Sequence, residues 1–380
     1  MNVSSGPSSG KPPYVLGTIC ILVLGCVLVA GLWPFHAPKN AVSWLSGNGI
    51  SLGRHGSLVS AGMFEARNVS EGNPCSLEIW LAPTRVDSAG TILSFYQPIT
   101  ETVSFSLRQS LGDLVIQRIS PHRTPRKSKL YVETFRDLKP VFVTITSGPA
   151  GLSVYVNGNR VRKSSGPSFS SQNLTGQLII GNAPTTTDSW SGQLRGVAIY
   201  DHELSPADVS LRYEEWTHGR IVNSSETDGV RALYRFDEGK GSVAHNQSGS
   251  APDLSIPEHF FVLREPFLER PWNEFHPDWA YCKDVAINVF GLVPLGFFFN
   301  AYLSIVKKIR RATGFTIALG LATSLTIEVL QSFLPTRDSG TTDLFTNTLG
   351  TAFGAVLFVW SMKRGWFGRL GVPSTLLSKT

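Results

Sequence analysis

The chain has 380 residues, of which 42% are hydrophobic and 16% charged, and its formal net charge is +6. That length allows two or three domains, and because part of the positive charge sits beside long apolar runs, it reads as membrane anchoring and not as nucleic-acid recognition. Four apolar runs are long enough to cross a bilayer, roughly 14–35, 285–306, 312–334 and 344–362, and among them the only charged residue is Glu328 in the third.

The first run, Tyr14–Phe35, follows a short tail at 1–13. Within it Val23–Cys26 loosely resembles the lipid-attachment box of bacterial lipoproteins. The apolar run continues past Cys26 to Trp33 and Phe35, longer than a cleaved signal core, so it reads as a retained anchor. Trp33 then sits at the outer interface, where aromatic rings prefer to lie. Cys20 and Cys26 fall inside this run, and Cys75 and Cys282 are too far apart to form a disulfide framework.

From about 48 to 250 the pattern changes to short alternating segments separated by Gly, Ser, Pro and Asn, the signature of an all-β sandwich or barrel. Strands are predicted at Ser76–Leu81, Thr91–Phe95, Val141–Thr146, Leu152–Val156, Leu178–Ile180 and Leu194–Tyr200. Asn157 and Gly158 follow one of these strands and tolerate positive φ, which predicts a hairpin. One helix is predicted after Ser205, with Pro206 at its first position and Asp208 at its third. The segment Arg118–Lys129 carries Arg118, Arg123, Arg126, Lys127 and Lys129 among Ser and Pro. It reads either as a solvated loop or as a basic loop that meets anionic glycan or lipid headgroups.

Residues 251–283 read as a linker, 284–362 as three further membrane helices and 363–380 as a C-terminal tail. Polar residues recur on these helices at helical spacing: Asp284 and Asn288 on the first, Ser324, Glu328 and Gln331 on the second, Asp343 and Asn347 on the third. A carboxylate facing lipid at the depth of Glu328 costs on the order of 2.5 kcal/mol or more, so these stripes are expected to face one another. The expectation is a polar pocket of Asp284, Asn288, Ser324, Glu328, Gln331, Asp343 and Asn347, rimmed by Arg337 and Asp338, with Arg337 offsetting the acids. Oxygen ligands of this kind also suit a divalent cation. The small residues Gly350 and Gly354 allow a close helix approach.

Orientation follows from the basic residues, which are held on the cytoplasmic side. Lys307, Lys308, Arg310 and Arg311 separate the second and third runs, and Lys363, Arg364 and Arg369 follow the fourth. Both termini are therefore expected in the cytoplasm and the β-rich insert outside it.

Leu77–Trp80, Val154–Gly158, Gly192–Tyr200, Tyr200–Ser205 and Leu233–Gly239 together resemble the laminin-G-like, concanavalin-like jelly-roll family. Asn288–Gly296, Glu328–Gln331, Pro335–Arg337, and Asp343–Asn347 with Gly350 resemble the VanZ-like family, named for a protein associated with teicoplanin resistance. The resemblance implies an all-β sandwich inserted between the first helix and the remaining three of a four-helix transmembrane bundle, in a bacterial cytoplasmic membrane. It implies partners among membrane lipids, glycans, cell-wall precursors or envelope proteins, and a link to tolerance of glycopeptides or other envelope-directed compounds. Some jelly-roll relatives hydrolyse glycans with paired carboxylates, but no Glu-x-Asp-x-x-Glu strand occurs here, and no triad, zinc-ligand spacing or phosphate loop stands out. The reading is a non-enzymatic binding protein; the alternative is a membrane enzyme or carrier acting on a lipid-linked substrate through Glu328, Asp343 and Asp284.

Overall fold

The structure, a computed structural model, describes residues 14–65, 72–120, 126–165, 169–219, 229–248, 251–265, 267–275, 279–337 and 339–364. It divides into two compact units: Met1–His36 with Glu265–Thr380, and Ala37–Arg264.

The second unit is a sandwich of two antiparallel sheets. Its strands in chain order are β1 (Val42–Trp44), β2 (Ile50–Leu52), β3 (Leu58–Ser60), β4 (Cys75–Pro83), β5 (Ala89–Gln97), β6 (Thr102–Ser110), β7 (Asp113–Ser120), β8 (Arg126–Glu133), β9 (Val141–Gly148), β10 (Gly151–Val156), β11 (Asn159–Ser164), β12 (Gln177–Ile180), β13 (Gly192–Tyr200), β14 (Val230–Tyr234), β15 (Val243–Ala244) and β16 (Leu254–Ser255). One sheet runs β1-β2-β13-β4-β9-β10-β11 with β14 also paired to β13, and the other runs β15-β16-β3-β12-β5-β6-β7-β8. Alternation places Leu77, Ile79 and Leu81 of β4 in the core between the sheets, against Phe95, Phe105, Ile145 and Trp190, all at most 1% exposed. The opposite parity of β4, with Ser76 and Glu78, faces outward.

The predicted helix forms as Pro206–His218. Ser205 accepts from the Asp208 amide, the Asp208 carboxylate accepts from the Ser205 amide, and Gly219 ends the helix in the left-handed region at φ +65°. Asn157 and Gly158, at φ +50° and +77°, turn β10 into β11 as their sequence predicts. The basic segment is a correction: Arg118 lies in β7, and Arg126, Lys127 and Lys129 lie in β8, paired in register from Asp113–Glu133 to Ser120–Arg126. β8 is an edge strand, where lysine and arginine guard against pairing with another chain, so a charge-rich composition there is compatible with a strand.

The sandwich also extends beyond the expected 48–250. β1 lies ahead of it, β16 pairs with β3 after it, and Phe260 is fully buried. Within the remainder of the expected linker, Glu269 bonds through its backbone to Ser339 and Thr341.

In the first unit four helices among the described residues are long and apolar enough to cross a membrane: Tyr14–Leu32, Tyr281–Val306, Ala312–Gln331 and Thr341–Lys363. Their polarity is inverted relative to a water-soluble bundle. The buried positions of Ala312–Gln331 include Thr316, Gly320, Thr323, Ser324, Glu328 and Gln331, whereas Phe315, Leu321, Leu325 and Val329 are exposed. Apolar side chains outward and small or polar ones inward is the arrangement lipid favours. The chain is a multi-pass membrane protein.

Candidate functional site

The helices Tyr281–Val306 and Thr341–Lys363 approach until their backbones touch. A Cβ on Gly350 would lie 2.1 Å from the Val289 carbonyl oxygen, one on Gly354 2.0 Å from that of Val293, and one on Gly296 2.0 Å from that of Thr351. Only glycine permits this contact. Gly320 of Ala312–Gln331 meets Thr351 in the same way, its Cβ position lying 2.4 Å from the Thr351 hydroxyl oxygen.

This packing brings part of the polar set together. The Asn288 amide donates to Asp343 at 2.7 Å, and the Asn347 amide donates to the Ser324 hydroxyl at 3.0 Å. Glu328, 1% exposed, accepts the Gly340 amide N–H at 2.9 Å. The Gln331 amide donates to the Gly31 carbonyl at 2.8 Å. Asp284 is exposed and Asp343 half-buried, so the acids differ in burial. Arg337 was expected to offset them; its described hydrogen bonds instead go from the guanidinium to the carbonyl oxygen of Trp33. Asp338 and Arg123 lie outside the described residues.

Chemically, the cluster is a set of interhelical hydrogen bonds with spare acceptors. The side-chain carbonyl oxygens of Asn347 and Gln331 are buried without a hydrogen-bond partner among the described residues, and each can take a donor such as water. No group of three or more His, Cys, Asp or Glu among the described residues is placed to hold a metal ion.

Sequence reasoning missed Asn300. It is fully buried, donates to the Ala355 carbonyl at 2.9 Å and to Thr313 at 3.3 Å, and so joins three helices. An Asn inside an apolar run was the available signal.

A second missed cluster lies on the outer face of the first sheet, beneath the helix Pro206–His218. There Glu78 is wholly buried, accepting from the Tyr200 hydroxyl at 2.7 Å and from the Trp216 indole at 3.3 Å. Burial pushes its carboxyl up to about 7, although Tyr200, Arg212 and Trp216 pull it down. Trp216 packs onto the sheet at Gly196, where a Cβ would be 2.1 Å from the indole ring. In the basic hairpin, Lys129 is exposed, while Arg118 is half-buried and its guanidinium is shifted below its ordinary value by burial.

Two family models match this chain. Residues 235–362 match VanZ/LLP1, and residues 59–210 match the Concanavalin A-like lectin/glucanases superfamily. No curated protein matches. Similar solved structures include the receptor binding domain of botulinum neurotoxin D, at 16% identity, 46% coverage of this chain, 45% of that one and a TM-score of 0.34. They also include the botulinum neurotoxin serotype D ligand binding domain in complex with N-acetylneuraminic acid, at 17% identity, 54% and 49% coverage and a TM-score of 0.33. A third is the binding domain of Paraclostridial Mosquitocidal Protein 1, at 14% identity, 47% coverage of each chain and a TM-score of 0.33. The chain spans about half the length of these structures.

Proposed function

We propose that this chain, a multi-pass membrane protein joining a VanZ-like base to a concanavalin-like sandwich, is a non-enzymatic glycan-binding protein of the bacterial cell envelope. The sandwich stands outside the cytoplasmic membrane and binds saccharide; the base holds it there. The observation that carries the reading is the placement of the sandwich relative to the basic residues. Lys307, Lys308, Arg310 and Arg311 lie between the second and third membrane helices, and Lys363 and Arg364 close the fourth. The sandwich joins the first and second helices at their other ends, which by the positive-inside rule are outside.

A packing role for the membrane polar groups is supported by the hydrogen bonds they make with one another and with backbone. The VanZ-like match supports a contribution to tolerance of envelope-directed compounds such as glycopeptides. The test is a glycan array probed with the full chain in nanodiscs, followed by mass spectrometry of the bound saccharide. The reading expects retention of saccharide above empty nanodiscs and recovery of the saccharide unaltered. Absence of all saccharide binding, or cleavage of the ligand, contradicts it.

A further inference from the structure

The outer face of the first sheet carries a cleft of about 530 Å³, within the range of small-ligand sites. Its walls include Trp80, Arg195, Tyr200, Arg212, Trp216 and Arg235. Three guanidinium groups each lie over an aromatic ring: Arg195 over Trp80 at 5.4 Å, Arg212 over Tyr200 at 5.4 Å, and Arg235 over Trp216 at 5.9 Å. Stacking fixes the plane of a guanidinium while leaving its edge able to donate a pair of parallel hydrogen bonds. Glu215 is the one acid among the described lining residues, 3.4 Å from Arg212.

Two local features build this arrangement. The pairing of β13 with β4 slips between Leu194 and Gly196, so Arg195 is the extra residue of a β-bulge, a device that re-aims a side chain. The Arg195 Nε is buried without a hydrogen-bond partner among the described residues, which leaves stacking on Trp80 as its described anchor. Beneath the cleft, Glu78 accepts from both Tyr200 and Trp216 and so fixes two of the three rings. Cations and rings are therefore set in place before any ligand arrives.

We infer that this cleft is the saccharide site of the outer domain and that it takes an acidic sugar, its carboxylate or phosphate held by Arg195 and Arg212. Opposite charge selects the anion, and guanidinium groups held by stacking can pair with it edge-on. The inference rests on the glycan-binding reading above and narrows it to one place and one ligand class. The basic β7–β8 hairpin belongs to the other sheet and plays no part in it.

The experiment uses the full chain in phosphatidylcholine nanodiscs with three probes: an oligogalacturonate, a glycerol-phosphate oligomer and a neutral malto-oligosaccharide. Calorimetry is run on the wild type, Arg195→Gln, Arg195→Lys, Arg212→Gln and, as a control at an exposed residue that does not line the cleft, Arg160→Gln. Binding of either anionic probe is expected, weakened at least tenfold by Arg195→Gln and by Arg212→Gln and less by Arg195→Lys, with no change in Arg160→Gln. The two anionic probes separate carboxylate from phosphate recognition. Anion binding that survives both glutamine substitutions, or equal binding of the neutral probe, overturns the cleft assignment and leaves glycan binding standing. Failure of all three probes overturns the acidic-sugar inference, while the glycan array decides the broader reading independently. Each variant must keep the wild-type melting temperature; where Arg212→Gln does not, the two substitutions at Arg195 decide.

Discussion

The hydroxyl of Tyr200 donates to the carboxylate of Glu78 at 2.7 Å, in a place that water does not reach. The other carboxylate oxygen of Glu78 has no hydrogen-bond partner among the described residues, so the ionised form is poorly compensated. This acid has a folded-state value near 7, above its ordinary 4.5. The folded protein then binds the proton more tightly than the unfolded one, and stability falls as pH rises between those two values, by at most about 1.4 kcal/mol per pH unit. Glu78→Gln should flatten this slope. Urea unfolding at pH 5 and pH 8, compared between wild type and variant, checks it; identical slopes would refute the assignment.

That measurement is simplest on the outer domain alone, and the structure predicts that residues 37–264 fold without the helices. The unit has its own two-sheet core, with Trp190, Phe95 and Phe105 fully buried. Far-ultraviolet circular dichroism of the fragment should show a β spectrum and a cooperative melt. A helical or unfolded spectrum would mean that the sandwich depends on its membrane base.

Gly354 and Gly291 lie on neighbouring membrane helices and should respond oppositely to leucine. A side chain at Gly354 would drive into the Val293 carbonyl, whereas nothing lies within 4 Å of a Cβ at Gly291. Gly354→Leu should cost at least the about 1–3 kcal/mol usual for overpacking, and Gly291→Leu close to nothing. Unfolding in sodium dodecyl sulfate measures both, and equal effects would show that the two helices do not meet at Gly354.

Glu328 offers a way to separate packing from chemistry. Its carboxylate accepts the Gly340 amide N–H, a task that glutamine can perform and leucine cannot. Glu328→Gln should stay within about 1 kcal/mol of wild type, and Glu328→Leu should lose about 1–3 kcal/mol through the stranded donor. The same denaturant titration, alongside glycopeptide susceptibility of cells carrying each variant, reads the two roles. A Gln variant that folds normally but loses a resistance phenotype would assign Glu328 to chemistry.

Much of the fold was legible because its signals are local. The Ser205 capping box, the Asn157-Gly158 turn and the alternation of β4 and β13 each lie within a few adjacent residues. The β7–β8 hairpin was hidden because an edge strand rich in Arg, Lys and Ser has the composition of a loop. Polar stripes on the membrane helices could be read from helical spacing, but their partners could not. Glu328 bonds to the backbone amide of Gly340, which caps the last membrane helix, and Gln331 bonds to the backbone of the first helix, 300 residues away in sequence. Glu78 was missed for a related reason. An acid in an alternating strand normally faces water, and only the packing of the helix Pro206–His218 makes that face an interior.

Sidedness underlies the whole account, and cysteine accessibility in intact cells tests it most directly. On a background with Cys20, Cys26, Cys75 and Cys282 replaced, single cysteines at Arg160 in the sandwich and at Arg310 between the second and third membrane helices occupy exposed positions. A membrane-impermeant maleimide should label Arg160→Cys in intact cells and label Arg310→Cys only after the cells are opened. Labelling of Arg310→Cys in intact cells, with Arg160→Cys protected, would place the sandwich in the cytoplasm and contradict the account.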